Sequence, residues 1–381
     1  MGVSGCPGAA AVLAFWGAQG RDCGKERADP GPRRPPRAPE VRAWTPRQRT
    51  VSTPRKTDTT PGMAFERPIH ELEAQLAELE ELSRSTNLDI GEEVEAVRRK
   101  LASAIDETYR DLSPWDQVNV ARHPDRPVTS DYCEKLFQDF VELHGDKTFG
   151  DDAAIVTGFA TLNGRRFLLV GHRKGRTTKE RLETNFGCAH PEGYRKALRK
   201  MRLAEKMGLP IVTFINTPGA YPGIGAEERG QAAAIAENIL EMFRIKTPIL
   251  CIVIGEGGSG GALGIGVGDR VLMMQYAYYS VISPEGCAAI LWKDGARTPE
   301  AAEALKLTAA TLTELGIVDG TVEEPAGGAH RDPQRAMEAM GRAICDHLDE
   351  LAAIPKEELL AARREKFRRI AAIEGRFPVV A

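Results

Sequence analysis

The sequence of 381 residues predicts a mixed α/β fold, and three observations support that prediction. Two continuous apolar runs, residues 210–215 and 248–254, are typical of buried parallel strands. Both runs lead into glycine-rich loops and then into helical patterns, which indicates repeated strand–loop–helix units. The dipeptide Asn163-Gly164, between two segments rich in β-formers, is a strong signal for a hairpin.

Residues 1–62 differ from the rest of the chain in composition. They are rich in Pro, Arg, Gly and Ala, and they hold 11 Lys and Arg against 5 Asp and Glu. The segment has too little patterned apolar surface to offset the entropy of ordering it, so we expect a disordered extension. Its basic content also fits an organellar transit peptide, whereas a secretory signal fits poorly. We favour synthesis from Met63, with the upstream segment a mis-assigned start.

Residues 63–125 predict a helical region that serves in packing or dimerisation. Apolar residues recur there at helical spacing, and segment 83–91 breaks the pattern, so we expect two helices in a hairpin. The positions that carry this pattern are Ile69, Leu72, Leu76, Leu79, Val94, Val97, Leu101 and Ile105.

The α/β core is predicted over residues 126–325, and two helices are expected in the C-terminal region 326–381. Ser130 is expected to cap the first core helix, whose apolar residues are Tyr132, Leu136, Phe137, Phe140 and Leu143. The other expected elements are strands at 155–162, 165–170 and 270–275 and helices at 191–207, 333–351 and 355–373.

Composition and charge exclude several classes of protein. The formal net charge is −3, so nothing marks the whole chain as a nucleic-acid binder. No apolar run approaches the length needed to span a membrane. The 7 cysteines are scattered without any C-x-x-C pair, which argues against a structural zinc site and suits a reducing cytoplasm.

The glycine-rich stretch after the second apolar run is the strongest candidate site. Residues 255–260 match the dinucleotide fingerprint G-x-G-x-x-G, but the next strand ends on Gln275 where an acidic residue is needed. Residues 257–261 also match the nucleophile elbow G-x-S-x-G, with Ser259 as the nucleophile. That hydrolase interpretation requires a histidine and a carboxylate, for which His330 and Asp332 are available.

A third interpretation needs no nucleophilic side chain. The backbone N–H groups of Gly260 and Gly261 would form an oxyanion hole at the start of a helix over 262–268. Glycine would be required because a Cβ bars close approach. A purely structural glycine turn between strand and helix is the remaining alternative.

Several blocks of sequence, in order along the chain, decide between these interpretations. The blocks are residues 171–176, 185–187, 191–197, 216–223, 254–262, 276–288 and 327–331. With these blocks the sequence resembles the alpha subunit of the bacterial acetyl-coenzyme A carboxylase carboxyltransferase, from about Phe65 to about Gly375. In this family an Asp is common where the chain has Asn216.

The resemblance implies a crotonase/ClpP-like ββα superhelix and a transfer of the carboxyl group from carboxybiotin to acetyl-coenzyme A, which forms malonyl-coenzyme A. It implies that Gly260 and Gly261 hold the biotin oxyanion. Neighbouring residues are expected to line the substrate site, with Tyr221 as one wall. These residues are Gly257, Gly258, Ser259, Gly219, Ala220, Tyr221, Pro222 and Gly223.

The resemblance also implies partners. A separate beta subunit, in an α2β2 assembly, is expected to supply the second oxyanion hole, most contacts to acetyl-coenzyme A and a zinc ribbon. Biotin is expected on a biotin carboxyl carrier protein, which a biotin carboxylase loads. The basic residues Arg173, Lys174 and Arg176 are either a solvated charged face or contacts to coenzyme A phosphates or to acids of the beta subunit. A non-catalytic scaffold for the beta subunit is the alternative from a different class.

Overall fold

The fold is described from a computed structural model, which covers residues 63–86 and 90–370. The predicted extension, residues 1–62, lies outside the described residues. So does the end of the last predicted helix, beyond residue 370.

A single mixed sheet forms the centre of the described part. Its strands lie in the order β1-β2-β3-β4-β5-β6-β8, and β7 pairs with the far end of β5. The β1–β2 and β2–β3 pairs are antiparallel, and the other pairs are parallel. The strands are β1 Gln138–Glu142, β2 Ile155–Leu162, β3 Arg165–His172, β4 Ile211–Thr217, β5 Ile249–Gly258, β6 Arg270–Met274, β7 Tyr278–Ser280 and β8 Gly320–Val322.

Helices follow most of the parallel strands and cover the sheet. The α-helices are α1 Arg67–Thr86, α2 Gly91–Arg110, α3 Pro114–Ala121, α4 Thr129–Lys135, α5 Thr178–Glu183, α6 Pro191–Met207, α7 Ile224–Glu228, α8 Gln231–Met242, α9 Ser259–Leu263, α10 Pro284–Leu291, α11 Thr298–Ala304, α12 Ala309–Glu314, α13 Pro333–Ala352 and α14 Lys356–Arg369. Short 3₁₀ turns occupy Ala64–Glu66, Asn185–Gly187 and Gly295–Arg297. Along the described helices, no stretch is long and apolar enough to cross a membrane.

The hairpin between β2 and β3 is confirmed. Asn163 and Gly164 take φ angles of 50° and 78°, and Leu162 pairs with Arg165 across them. Both central residues of this turn require positive φ, which Asn and Gly tolerate best. Local sequence therefore fixes the register of this pair.

The predicted helical hairpin is present as α1 and α2. Ile69 is fully buried, and Val94 and Val97 of α2 are also buried. The last apolar residues before α3 join this packing, since Tyr109 shares a buried cluster with Met63 and Val120. The dimerisation role suggested for the hairpin stays a prediction.

The helix predicted from Ser130 to Leu143 is wrong in its second half. The expected cap at Ser130 is also wrong, because Ser130 lies inside the helix. Val128 is the N-cap residue, and its N–H donates to the Asp131 carboxylate at 2.8 Å. The helix ends at Lys135, and Phe140 lies in β1, which pairs with β2. Apolar residues at this spacing fit either structure, and pairing with a distant strand overrides the local helical preference.

The site is positioned by two buried central strands, β4 and β5. Every residue of β4 and β5 is buried, as expected for central parallel strands covered on both faces. Helix α14 is locked to the sheet by Arg363, which is 1% exposed and donates to the Asp269 carboxylate at 2.8 and 2.6 Å. The site itself lies at the carboxyl ends of β4 and β5.

Candidate active site

The glycine corner, residues 257–261, joins β5 to α9. The strand continues through Gly258, and α9 begins at once with Ser259 and ends at Leu263. The expected helix over 262–268 is therefore wrong: one helical turn starts three residues earlier, and the chain is irregular after it. The predicted switch from strand to helix within the glycine stretch is present.

A second loop presses on this corner and explains its glycines. A Cβ at Gly258 would lie 2.2 Å from the Pro218 carbonyl oxygen. One at Gly261 would lie 2.4 Å from the carbonyl carbon of Gly219. Contacts this short do not occur with real side chains, so only glycine permits the loop to approach. The structure thus brings together the two segments that the sequence singles out.

The N–H groups of Gly260 and Gly261 belong to the first turn of α9, where the helix offers no acceptor. Among the described residues, neither group donates to a backbone acceptor outside the regular elements or to a side chain. Gly260 is half-buried, and a Cβ there would meet only the Ile235 side chain, at 3.9 Å. The corner therefore presents two backbone donors, a buried one at Gly261 and one beside open space at Gly260, and this arrangement suits an anion.

The second loop, residues 218–223, is called the proline–glycine loop, and hydrogen bonds with Thr217 hold it in place. The Thr217 hydroxyl donates to the Gly219 carbonyl at 2.7 Å and accepts from the Gly219 N–H at 3.1 Å. The half-buried Tyr221 stacks on His190 with ring centroids 4.2 Å apart, and Gly223 packs against the Tyr221 ring. Pro222 is exposed between them. Tyr221 remains a predicted wall of the substrate site.

The three basic residues that the sequence singles out all bind acids of the same chain. Arg173 donates to both Glu142 oxygens at 2.8 Å. Lys174 pairs with Glu256, and Arg176 pairs with Asp131. Each keeps a side chain about 20–29% exposed. Their predicted contact with coenzyme A or a partner would therefore compete with these internal pairs.

Glu256 is the centre of a charged network directly before the glycine corner. Its buried carboxylate accepts from Arg122 Nε at 2.7 Å and from the Tyr278 hydroxyl at 2.9 Å, and it pairs with Lys174. Burial raises the pKa of Glu256, but the charges of Lys174 and Arg122 outweigh it and lower that pKa to about 2. Sequence reasoning missed the roles of Arg122 and Tyr278, because no local motif links Glu256 to residues 134 and 22 positions away.

Asn216 has a defined role in the same region. Its side-chain oxygen accepts a hydrogen bond from the Glu256 N–H at 3.1 Å. An Asp at this position, as the resembling family has, could accept the same bond. The departure therefore preserves the local geometry and changes one charge beside Glu256.

The catalytic triad of the hydrolase interpretation is not assembled. Ser259 is exposed, and its hydroxyl makes no hydrogen bond with any described residue. Its backbone has a positive φ of 52°. His330 instead lies against Tyr109 and Glu66, and its ring packs at a tilt against that of His123 with centroids 4.1 Å apart. Asp332 accepts from the Arg335 N–H at the start of α13. His330 and Asp332 thus serve the N-terminal and C-terminal helices.

His172, at the end of β3, makes no hydrogen bond with Ser259 among the described contacts. Its ring is fully buried, and burial lowers its pKa to about 3. Its Nδ1 accepts from the Asn216 N–H at 3.4 Å. In the described part of the chain, no group of three or more His, Cys, Asp or Glu residues is arranged to hold a metal ion.

Comparisons with known proteins agree on one family. The family model described as acetyl co-enzyme A carboxylase carboxyltransferase-like matches residues 62–371. The acetyl-coenzyme A carboxylase carboxyl transferase subunit alpha of Rhodopirellula baltica is 55% identical over 314 residues, which are 81% of this chain and 97% of that protein. The Thermus thermophilus subunit alpha is 53% identical over 310 residues, or 81% of this chain and 98% of that one.

The fold also matches a solved structure. Transcarboxylase 12S, solved with hydrolysed methylmalonyl-coenzyme A, superposes with a TM-score of 0.50 at 20% identity. The match covers 64% of this chain and 45% of that one. At this identity the likeness concerns the fold alone, and it agrees with the architecture expected from the sequence.

Proposed function

The chain belongs to the family of acetyl-coenzyme A carboxylase carboxyl transferase alpha subunits, and we propose that its glycine corner stabilises the oxyanion of the carboxyl donor. One observation carries this assignment to the corner. Gly260 and Gly261 present two N–H groups that find no acceptor among residues 63–86 and 90–370, and open space lies beside Gly260. Such preorganised donors need no reorganisation as negative charge develops.

The proposed donor is carboxybiotin on a separate biotin carboxyl carrier protein, which supplies carbon dioxide and leaves negative charge on the ureido oxygen. The corner fits that group because its donors are backbone N–H groups and its loop leaves no room for a Cβ. Gly260 and Gly261 donate to the ureido oxygen, and Gly257 and Gly258 bring the strand to it. Tyr221 closes one side. Each donor of this kind contributes about 3–4 kcal/mol to lowering the barrier.

No side chain of the corner has to act as a base. The biotin oxyanion can itself take a proton from the thioester methyl group, so the chain only holds charge and position. Ser259 then matters through its backbone. Tyr194, which donates to the Gly261 carbonyl at 3.3 Å, holds the short helix in place.

The acceptor site requires a partner. We propose that a beta subunit, in an α2β2 assembly, binds acetyl-coenzyme A, carries zinc and supplies the second oxyanion hole. Malonyl-coenzyme A is the product, as in the first committed step of fatty acid biosynthesis, and a biotin carboxylase reloads the carrier. Arg173, Lys174 and Arg176 are the proposed contacts to coenzyme A phosphates or to the beta subunit.

The five cysteines in the described part are free thiols, which is consistent with a cytoplasmic location.

One assay separates the proposal from its alternatives. Malonyl-coenzyme A formation is measured with carboxylated carrier protein, with and without the beta subunit. We expect formation only with both subunits, and loss of it when a Gly261→Val chain replaces this one. Full activity with the Gly261→Val chain would instead favour the alternative in which this chain is a non-catalytic scaffold for the beta subunit.

The hydrolase alternative has its own test. Ser259→Ala removes the hydroxyl but keeps the backbone N–H groups, so we expect it to retain most of the carboxyl transfer rate. A serine nucleophile would instead lose most of its rate with the hydroxyl. Labelling of Ser259 by a fluorophosphonate, together with inactivation of Ser259→Ala, would contradict the oxyanion-hole assignment.

A further inference from the structure

Strand β5 contains a bulge immediately before the glycine corner. Ile215 pairs with Val253 and Thr217 pairs with Gly257, so two steps along β4 correspond to four along β5. The strand also changes neighbour here, since it pairs with β6 as far as Val253 and with β7 from Glu256 onward. A bulge bends its strand and increases the local twist. This bulge, residues 254–256, therefore sets the direction in which the corner leaves the sheet.

Side chains from other elements satisfy the backbone groups of the bulge. The Ile254 carbonyl accepts from Arg126 Nε at 2.8 Å, and the Glu256 N–H donates to Asn216. Gly255 is enclosed, because a Cβ there would lie 2.9 Å from Asn216 Oδ1 and 3.2 Å from the Ala121 carbonyl oxygen. The bulge is thus held by Asn216 of β4, by the end of α3 and by Arg126 after it, and its conformation depends on these contacts.

Arg122 connects the bulge to the elements beside it. It follows α3 directly, and its guanidinium donates to Glu256 at 2.7 Å, to the Tyr278 hydroxyl at 3.1 Å and to Glu285. These three acceptors lie on β5, β7 and α10. One planar side chain therefore joins the bulge to the two elements beside it, a geometry that the single ammonium of a lysine cannot reproduce.

We propose that Arg122 is a positioning residue for carboxyl transfer, which acts by holding Glu256 and thereby fixes the direction in which Gly260 and Gly261 present their N–H groups. The inference rests on the proposed function of the glycine corner. Lys174 supports the same carboxylate from the loop after β3. Because Glu256 lies four residues before Gly260, a shift of the bulge is transmitted directly to the donors.

Titration of Glu256 gives a readout that a purely structural role would not change. The charged and titratable groups around Glu256 come from several elements. They are Arg122 after α3, Lys174 after β3, Cys188 before α6, Tyr278 of β7 and, through Arg122, Glu285 of α10. With Arg122 and Lys174 present, the pKa of Glu256 is about 2, so the carboxylate is ionised at any pH used for assay. Without Arg122, only the charge of Lys174 opposes the effect of burial, so we expect the pKa of Glu256 to rise.

The experiment compares Arg122→Met and Arg122→Lys with the parent chain, each assembled with the beta subunit. The rate constant kcat, the KM values for carboxylated carrier protein and acetyl-coenzyme A, and the pH profile of kcat are measured. For Arg122→Met we expect kcat to fall about 10- to 100-fold, as for a misplaced catalytic group, with an unchanged KM for acetyl-coenzyme A. Its kcat should fall further as pH is lowered, because the ionised Glu256 is required. Arg122→Lys should recover part of kcat.

A matched control is Arg165→Met. Arg165 is the first residue of β3 and lies at the end of that strand remote from the site, where it pairs with Asp349 of α13. We therefore expect Arg165→Met to leave kcat and its pH profile unchanged. An assembled Arg122→Met chain with the parent kcat and pH profile would overturn the inference. If Arg122→Met does not fold, Arg122→Lys decides: a parent-like kcat and pH profile in that variant would equally overturn it. Failure of the parent chain to form malonyl-coenzyme A would reject the proposed function instead.

Discussion

At the scale of single residues, Gly261 is confined by its neighbours rather than by its own backbone angle. Its φ is not positive, so a branched side chain there would not strain the backbone. A Cβ would instead collide with the carbonyl carbon of Gly219 and the amide nitrogen of Ala220, at 2.4 and 2.5 Å. Substitution of Gly261 therefore displaces the proline–glycine loop from the corner.

We expect Gly261→Val to lower carboxyl transfer by at least about 100-fold, because the two loops separate and the N–H donors lose their position. The measurement is malonyl-coenzyme A formation by the variant assembled with a beta subunit. Gly295→Val is the matched control, since a Cβ at Gly295 meets no atom within 4 Å. An assembled Gly261→Val chain with normal turnover would remove Gly261 from the site.

The glycine corner could be found from the sequence because its residues are neighbours in the chain. Arg122 could not, because its partner Glu256 lies 134 residues away and an isolated arginine gives no pattern. The sequence also could not predict the internal ion pairs of Arg173, Lys174 and Arg176. A basic loop has the same sequence pattern whether it faces solvent or carboxylates. Local motifs therefore identify the donors, and tertiary contacts identify what holds them.

At the scale of elements, the start of α1 is locked by Glu66. This carboxylate is 2% exposed and accepts from Tyr109 at 2.6 Å and from Arg331 at 2.9 and 2.8 Å. Burial raises its pKa, but the nearby His330 ring, the hydrogen bond from Tyr109 and the charge of Arg331 lower it to about 2. One buried acid thus joins the N-terminal hairpin to the loop before α13.

We expect Glu66→Gln to lower the free energy of unfolding at pH 7 by about 3 kcal/mol, because it leaves Arg331 with less compensation in a buried site. The depressed pKa means that the contribution of Glu66 is complete above about pH 4.5 and is lost as pH falls toward 2. Urea unfolding at pH 7 and at pH 3 measures this. Glu365→Gln, which breaks an exposed pair with Arg369, is the control. A pH-independent difference would contradict the assignment.

The predicted elements succeeded where short-range signals agreed with tertiary packing. The β2–β3 hairpin has its turn residues in the sequence, and α6 occupies the predicted range, Pro191–Met207. The helix prediction for residues 136–143 was wrong because their apolar spacing fits a helix as well as a strand. Only the pairing of β1 with β2 decides between the two structures. Helix α9 was misplaced because the glycines continue β5 beside β7, a pairing that the sequence does not reveal.

At the scale of the whole molecule, Met63 marks where the described packing begins. Its side chain is 5% exposed and shares a buried cluster with Ile69 and Tyr109. We expect a chain that begins at Met63 to match the full chain in melting temperature and in malonyl-coenzyme A formation with the beta subunit. A chain that begins at Arg67 lacks Glu66 and should melt at a lower temperature. Equal melting of all three, or a large loss on starting at Met63, would contradict this prediction.

The ion pair between Glu66 and Arg331 spans 265 residues of sequence and has a consequence for biosynthesis. At about 5–20 residues per second, a ribosome makes Arg331 roughly 15–50 s after Glu66. The first helix therefore leaves the ribosome long before its anchor exists. We expect nascent chains stalled before residue 331 to lose α1 to protease faster than chains stalled well beyond it. Equal protection of the two would show that α1 docks without waiting for the end of translation.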